Sequence, residues 1–406
     1  MSMAIIALLL VICMAEAVII LKDDGRVSEL LHRIKTVYRS KGMKVTLSMI
    51  AERICGFVAK LKNRLFKKKN QGTILIAFRP AGGLGDYIIS AKVFEEILES
   101  CDCKVVVYCK NVVFGESIYG YKENVEIRDE KRFEVERHKF DLALQVDHFV
   151  CVKNRDRKRL LSMAPDLCKK VDYICDNWNR LYIPERKQYL RERLLFERCR
   201  MLGLDRWTEL RMGGAFDIAD KKVNIPLYAE YENELERIGI KGTKYITINR
   251  GADVLKEGFQ QLKVWSKEYY EQFIAIFKAK HPDIMVVQLG SAKDEMITGV
   301  DKYCLGENME IVKWVLKNSL CHVDCEGGLV HLATQLDTTN VVIFGPTPLH
   351  MYAYPQNINL CSDKCSNCMG LHEDWAYTCI RDEQALCMKD IKPQQVADSV
   401  FAVIDK

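Results

Sequence analysis

The sequence predicts an α/β protein of two Rossmann-like, doubly wound domains facing a cleft, preceded by an N-terminal helical extension. Three observations predict it. Two glycine-rich turns, within residues 73–86 and 322–331, each follow an apolar run that reads as a buried strand and precede a segment with helical spacing. Apolar runs alternate with helical patterns in both halves, the signature of βαβ units and a parallel sheet. The chain has 406 residues, 49% hydrophobic and 28% charged, with nine prolines and no low-complexity tract, enough for two domains and an extension.

The extension, 1–70, reads as a hydrophobic segment followed by a basic amphipathic helix that associates with a membrane. Residues 3–21 are nearly all apolar, broken by Glu16, and long enough to span a bilayer. The alternatives are a true start at Met43 and a cleaved signal peptide. The missing basic n-region argues against the latter, although Ala15-Glu-Ala17 looks like a cleavage site. Leu47, Ile50, Ile54, Phe57, Val58, Leu61 and Leu65 then recur at helical spacing. From Arg26 to Lys69 there are 13 Lys or Arg against 2 Glu. That local charge of +11 leaves −6 for the rest of a chain whose net charge is +5. An amphipathic stripe with that charge suits an anionic membrane surface, or it packs on the next domain. Positive charge following the apolar segment leaves the bulk of the chain in the cytoplasm, so the expected location is the cytoplasmic face of the inner membrane, peripheral or held by a single N-terminal anchor. The basic run has at most one aromatic on each side and no recognition motif, so no nucleic-acid partner is expected.

The first domain is expected over 71–235. Strands are expected at 73–78, 104–109 and 140–147, with a helix from Asp86 through Ser100. Gly82-Gly-Leu-Gly-Asp86 falls at the carboxyl end of the first strand, where doubly wound sheets bind ligands. A nicotinamide site would want an acidic residue about 20 residues on, at the end of the second strand. That strand ends in Cys109-Lys110, so the dinucleotide reading fails. Asp86 either caps its helix or takes a proton from a substrate hydroxyl. Residues 191–205 read as an amphipathic helix ending at Gly203.

The second domain is expected over 236–390, with strands at 244–249, 284–289, 319–323 and 340–344 and a helix at 267–281. The strand ends deliver Arg250-Gly251, Gly290, Asp324-Cys-Glu326-Gly327-Gly328 and Gly345-Pro-Thr347-Pro to one edge. Arg250 and Lys263 are cationic donors suited to a diphosphate. Glu326 or Asp324 could hold ribose hydroxyls. His331, one turn into the helix, either faces the same crevice or is a core histidine. Residues 391–406 read as a closing helix packed across the domains.

These motifs resemble those of glycosyltransferase family 9, the heptosyltransferases of lipopolysaccharide core assembly. Gly82-Gly-Leu-Gly-Asp86, Lys263-Val-Trp-Ser266, Asp324-Cys-Glu-Gly-Gly-Leu-Val-His-Leu-Ala333 and Phe344-Gly-Pro-Thr347 carry the resemblance, which covers about 72–402. It implies the GT-B architecture and inverting transfer of a sugar, most often heptose from ADP-heptose, without a catalytic metal. The acceptor would be a glycolipid such as lipopolysaccharide core. By the resemblance Asp86 is the general base and Lys263 neutralises the leaving diphosphate, helped by Arg250, Gly251 and Thr347. Asp324, Glu326, Gly327, Gly328 and His331 form the nucleotide-sugar turn. The chain departs from the family at Glu-Gly-Gly-Leu-Val-His, where many members have Asp-Thr/Ser-Gly-Leu-Ser-His, and at Ser266 in place of proline. These departures bear on sugar and acceptor more than on reaction type. A protein-glycosylating heptosyltransferase and a non-catalytic sugar-nucleotide-binding protein of the same fold are the alternatives.

Most of the 17 cysteines stand singly in apolar runs, as small buried hydrophobes of a reducing compartment. The cluster 361–387 differs. Cys365-x₂-Cys368 has metal half-site spacing, and Cys379 and Cys387 complete four thiolates for structural zinc or iron. Free thiols and disulfides are the alternatives. The cluster also resembles the iron finger of autotransporter heptosyltransferases.

Overall fold

The structure, a computed structural model, describes residues 72–184, 187–250 and 261–405; the expected extension 1–70 lies outside them. Among the described residues no helix is long and apolar enough to cross a membrane. Among the described residues, Gly72 and Lys131–Phe140 group in a unit apart from the rest, with single helical turns at Phe133–Glu136 and Arg137–Lys139.

Two sheets carry the fold. The first has the order β3-β2-β1-β4-β5, with β1 (Ile74–Pro80), β2 (Cys103–Cys109), β3 (Val125–Asp129) and β4 (Leu142–Val146) parallel and β5 (Val150–Arg155) antiparallel to β4. The second is parallel throughout, in the order β11-β10-β9-β6-β7-β8. Its strands are β6 (Tyr245–Asn249), β7 (Met285–Gly290), β8 (Lys302–Leu305), β9 (His322–Cys325), β10 (Asn340–Phe344) and β11 (Ile358–Cys361). Strands covered on both faces are buried along their whole length, as all five residues of β6 and of β10 are, with Thr247, Asn249 and Asn340 the buried polar positions among them. In the first sheet the chain winds one way from β1 and returns to β4 on its other side. In the second it winds from β6 to β8 and returns to β9. The two switch points, β1/β4 and β6/β9, open the crevices in which such sheets bind ligands. The expected boundary near 235 falls in the short helix Glu234–Ile238.

Local chemistry sets the helix ends. Gly203 takes φ 64°, a left-handed C-cap that stops Gln188–Leu202. Ser266 accepts a hydrogen bond from the Tyr269 N–H and caps Lys267–Lys280, so the serine that stands in place of proline starts the same helix by another route. The strand expected at 319–323 is His322–Cys325, with Ser319 to Cys321 as its lead-in.

One continuous apolar core joins the first sheet to the second half. It runs from Ile76, Phe78 and Leu144 through Leu332, Met351 and Tyr354. A second core covers the far face of the second sheet. The closing helix, Pro393–Ile404, belongs to that core and is not the cross-domain strap expected. Its buried Val396, Ala397 and Val400 match the apolar face of Lys267–Lys280, and Phe401 stacks on Phe277 at 6.3 Å.

Candidate active site

The two glycine turns meet. The helix Leu84–Ser100 leaves the first turn and Gly328–Gln335 leaves the second, and they pack at their N-terminal ends. A Cβ on Gly85 would overlap the His331 imidazole, and one on Gly328 would lie 2.9 Å from the Leu84 Cβ. Only residues without a side chain permit this approach.

Asp86 sits in the first turn with its side chain 36% exposed. Gly82 adopts φ +96°, and a Cβ there would overlap the Asp86 carboxylate. Asp86 Oδ2 accepts from the Gly83 N–H at 3.1 Å, and Oδ1 accepts from Arg206 Nη2 at 2.8 Å. Burial pushes the carboxyl up, but the Arg206 charge and hydrogen bond, with the Gly83 N–H, hold it below its ordinary value. Asp86 therefore both caps its helix and presents an ionised carboxylate.

Arg206 was not legible in the sequence. It is 1% exposed, and its Nη1 donates to Glu209 Oε1 at 2.7 Å while Nη2 also donates to the Asp147 carbonyl at 3.1 Å. Burial opposes its charge, and Glu209 and then Asp86 more than offset this, keeping it protonated. Glu209 also bonds His148 Nδ1 at 2.8 Å. Tyr352 lies within electrostatic reach of Arg206, Glu326, Asp86 and Glu209, and burial pushes its phenol well up.

Across the crevice, Glu326 follows β9. Its Oε2 is 3.9 Å from Lys263 Nζ and its Oε1 3.7 Å from His331 Nε2. Burial raises its carboxyl, but Lys263 and His331 bring it below the ordinary value, and the Asp86 charge is felt there too. Tyr354 Oη accepts from Trp207 Nε1–H at 3.0 Å and shares a 2.6 Å hydrogen bond with His331 Nδ1. The other ring nitrogen of His331, Nε2, faces Glu326. His331 is a buried spacer between the turns, only 4% exposed.

Thr347 is buried, and its Oγ1 has no hydrogen-bond partner among the described residues. Arg250 pairs with Glu295 at 3.1 Å, and Glu295 also takes Lys267. Gly251 lies outside the described residues. Gly327 is extended at φ 176°, so its backbone does not demand glycine. Asp324 departs from its expected place at ribose hydroxyls. It is 2% exposed behind the turn, with Oδ2 accepting from Asn249 Nδ2 at 3.0 Å and 3.5 Å from His322 Nε2, and burial raises its carboxyl. Asp324 lies within β9, all four of whose residues are buried, and shares a strand face with His322 two residues before it.

The expected quartet Cys365, Cys368, Cys379 and Cys387 does not converge into a ligand set. Among the described residues no three His, Cys, Asp or Glu stand where they could hold a metal ion, and all four thiols are free. Burial and then the neighbouring sulfurs push Cys387 up to about 12 and Cys368 upward, which keeps both thiols protonated. Cys379 alone is shifted down. Burial opposes its ionisation, and the backbone N–H groups of Ala385, Arg381 and Glu383 outweigh that.

No family sequence model matches the chain, and no curated protein matches it in sequence. Solved structures do match its fold. TibC from enterotoxigenic E. coli H10407, described as a bacterial iron-containing dodecameric glycosyltransferase, aligns at 14% identity over 82% of this chain and 79% of its own, with a TM-score of 0.53. The dodecameric iron-containing heptosyltransferase TibC in complex with ADP-D-β-D-heptose gives 13%, 82%, 76% and 0.54. A family 9 glycosyl transferase from Veillonella parvula DSM 2008 gives 12%, 82%, 97% and 0.50. The chain has the GT-B fold of these glycosyltransferases.

Proposed function

We propose that the protein is an inverting glycosyltransferase that moves heptose from ADP-heptose onto lipopolysaccharide core or a related surface-glycan acceptor. The observation that carries the reading is the meeting of the two glycine turns, which puts the Asp86 carboxylate within electrostatic reach of the Glu326 and Lys263 pair. In the reaction the acceptor hydroxyl oxygen attacks the anomeric carbon opposite the diphosphate. The new C–O bond forms as the C–O bond to the diphosphate breaks, the hydroxyl proton passes to Asp86, and the bonding electrons leave with the diphosphate. Lys263 and Arg250 neutralise that charge, with Gly251 and Thr347 at the phosphate end. Fixed cations cost no reorganisation as charge develops. Glu326, Gly327 and Gly328 form the nucleotide-sugar turn, and His331 holds it against Gly85.

Every step uses this chain's own residues. Zinc or iron at the cysteine cluster would be structural, and the thiols would have to move to hold it. A protein acceptor is the second reading, on the resemblance of the cysteine cluster to that of the autotransporter heptosyltransferases. Following the sugar label from ADP-heptose into lipid-linked glycan or into protein separates the two readings. ADP release from ADP-heptose, set against UDP- and GDP-sugars, tests the reaction itself; release from none of them would leave the non-catalytic alternative.

We place the protein at the cytoplasmic face of the inner membrane, on the strength of the basic residues 26–69. Removing residues 1–69 should free it from anionic vesicles in a sedimentation assay, and retention would count against that placement.

A further inference from the structure

The geometry points to His148 as an acceptor-side binding residue, its Nε2 accepting a hydrogen bond from a hydroxyl of the incoming acceptor beside the one that Asp86 deprotonates. Glu209 and Arg206 are the positioning residues. The inference rests on the proposed glycosyl transfer.

The strand ends bring the groups together. β1 and β4 are neighbours at the first switch point, and the Ala81 N–H bonds the Val146 carbonyl at 2.8 Å. The turn after β1 carries Asp86, and the first residues after β4 are Asp147 and His148. That short loop is fixed at both ends. Asp147 Oδ1 accepts from the Phe149 N–H at 2.8 Å, and its carbonyl accepts from Arg206. The Phe196 ring packs edge-on against the imidazole at 6.2 Å.

Chemistry then sets the imidazole's role. Glu209 Oε1 already accepts from Arg206 Nη1 and accepts here too, so His148 Nδ1 carries the proton in the 2.8 Å contact. A neutral imidazole protonated at Nδ1 presents a lone pair at Nε2. That nitrogen has no protein partner among the described residues, and the side chain keeps 14% of its exposure while Glu209 beneath it keeps 2%. Buried Arg206 ties Glu209 to Asp86, so one guanidinium sets the orientation of both acceptor-side groups. Both Asp86 oxygens already accept protein hydrogen bonds, whereas Nε2 is free to meet a sugar hydroxyl.

The test follows ADP release from ADP-heptose by the full chain, with lipopolysaccharide-core oligosaccharide as the acceptor probe. H148N keeps an N–H over the Nδ1 position for Glu209 and deletes Nε2. It should raise KM for the oligosaccharide about tenfold, the size of one hydrogen bond to substrate. KM for ADP-heptose and the unfolding temperature should hold. H148Q, whose amide reaches the Nε2 position, should recover most of the loss. E209Q should raise the oligosaccharide KM and spare that of the donor. Wild-type constants in H148N would overturn the inference and leave the reaction standing. So would an equal loss toward both substrates in H148N and H148Q with a lowered unfolding temperature, which is the mark of a merely structural histidine. A wild-type chain that releases no ADP would overturn the reaction and the inference with it.

Discussion

The two glycine turns share a pattern and differ in physics. In the first, Gly82 is required locally, by a positive φ and by the turn's own Asp86 carboxylate. In the second, Gly327 is extended and unconstrained, and Gly328 is required because Leu84 of the other half approaches it. The carboxylates differ too. Asp86 is held by a buried guanidinium at 2.8 Å, while Glu326 stands 3.9 Å from the more exposed Lys263. A short guanidinium bond fixes a carboxylate where a proton must be taken, and a longer ammonium contact leaves a cation free to turn to an anionic ligand. On the proposed reaction, the first turn serves the acceptor and the second the donor.

The sharpest way to break this contrast is Asp86→Asn. Loss of the base should lower turnover by ~10²-fold or more. Because Asp86 titrates below its unfolded value of 3.8, its ion pair with Arg206 contributes stability in full above pH 3.8 and loses it only as pH falls through the lowered value. Any acid limb of the rate nearer neutrality therefore belongs to another group, and unchanged turnover in the variant would remove Asp86 from the mechanism.

A smaller effect separates the glycines. Gly85→Ala drives a methyl into His331 and should cost about 1–3 kcal/mol in chemical denaturation, as overpacking does. Gly327→Ala has its nearest neighbour, the Cys325 carbonyl, 3.7 Å from the new Cβ and should cost little. Equal losses in the two would mean that the turns do not pack as described.

The smallest effect is expected at Asp324. Its carboxyl titrates above its unfolded value of 3.8, so folding favours the protonated form. Its contribution is fully present below pH 3.8 and is lost as pH rises through the raised value. Asp324→Asn, never charged, should keep or raise the unfolding temperature at neutral pH and leave ADP affinity in place, whereas Glu326→Gln should alter donor binding. Lost ADP affinity in Asp324→Asn would return that residue to the nucleotide turn.

What could be read in the sequence was what local physics writes there. Central parallel strands such as β6 and β10 are buried at every position and show as mostly apolar runs, and Gly203 and Ser266 end and start helices by contacts within a few residues. The edge strands β3, β8 and β11 left little trace, because they are short and half-exposed. Asp86 was recognisable from its turn. Arg206, 120 residues away, was not, because its role comes from a tertiary contact and nothing in Asp205-Arg-Trp-Thr-Glu209 marks it. Asp324 and Glu326 looked interchangeable in sequence, and what separates them is that Asp324 lies inside β9 while Glu326 lies past its end, in the glycine turn.

The most direct test of the division between the turns is calorimetric titration of ADP into the wild-type chain, Asp86→Asn and Lys263→Ala. The account predicts that Asp86→Asn binds ADP as the wild type does while turning over poorly, and that Lys263→Ala binds it about tenfold or more weakly, as expected for loss of a charged contact. Loss of ADP affinity in Asp86→Asn, with Lys263→Ala unaffected, would contradict it.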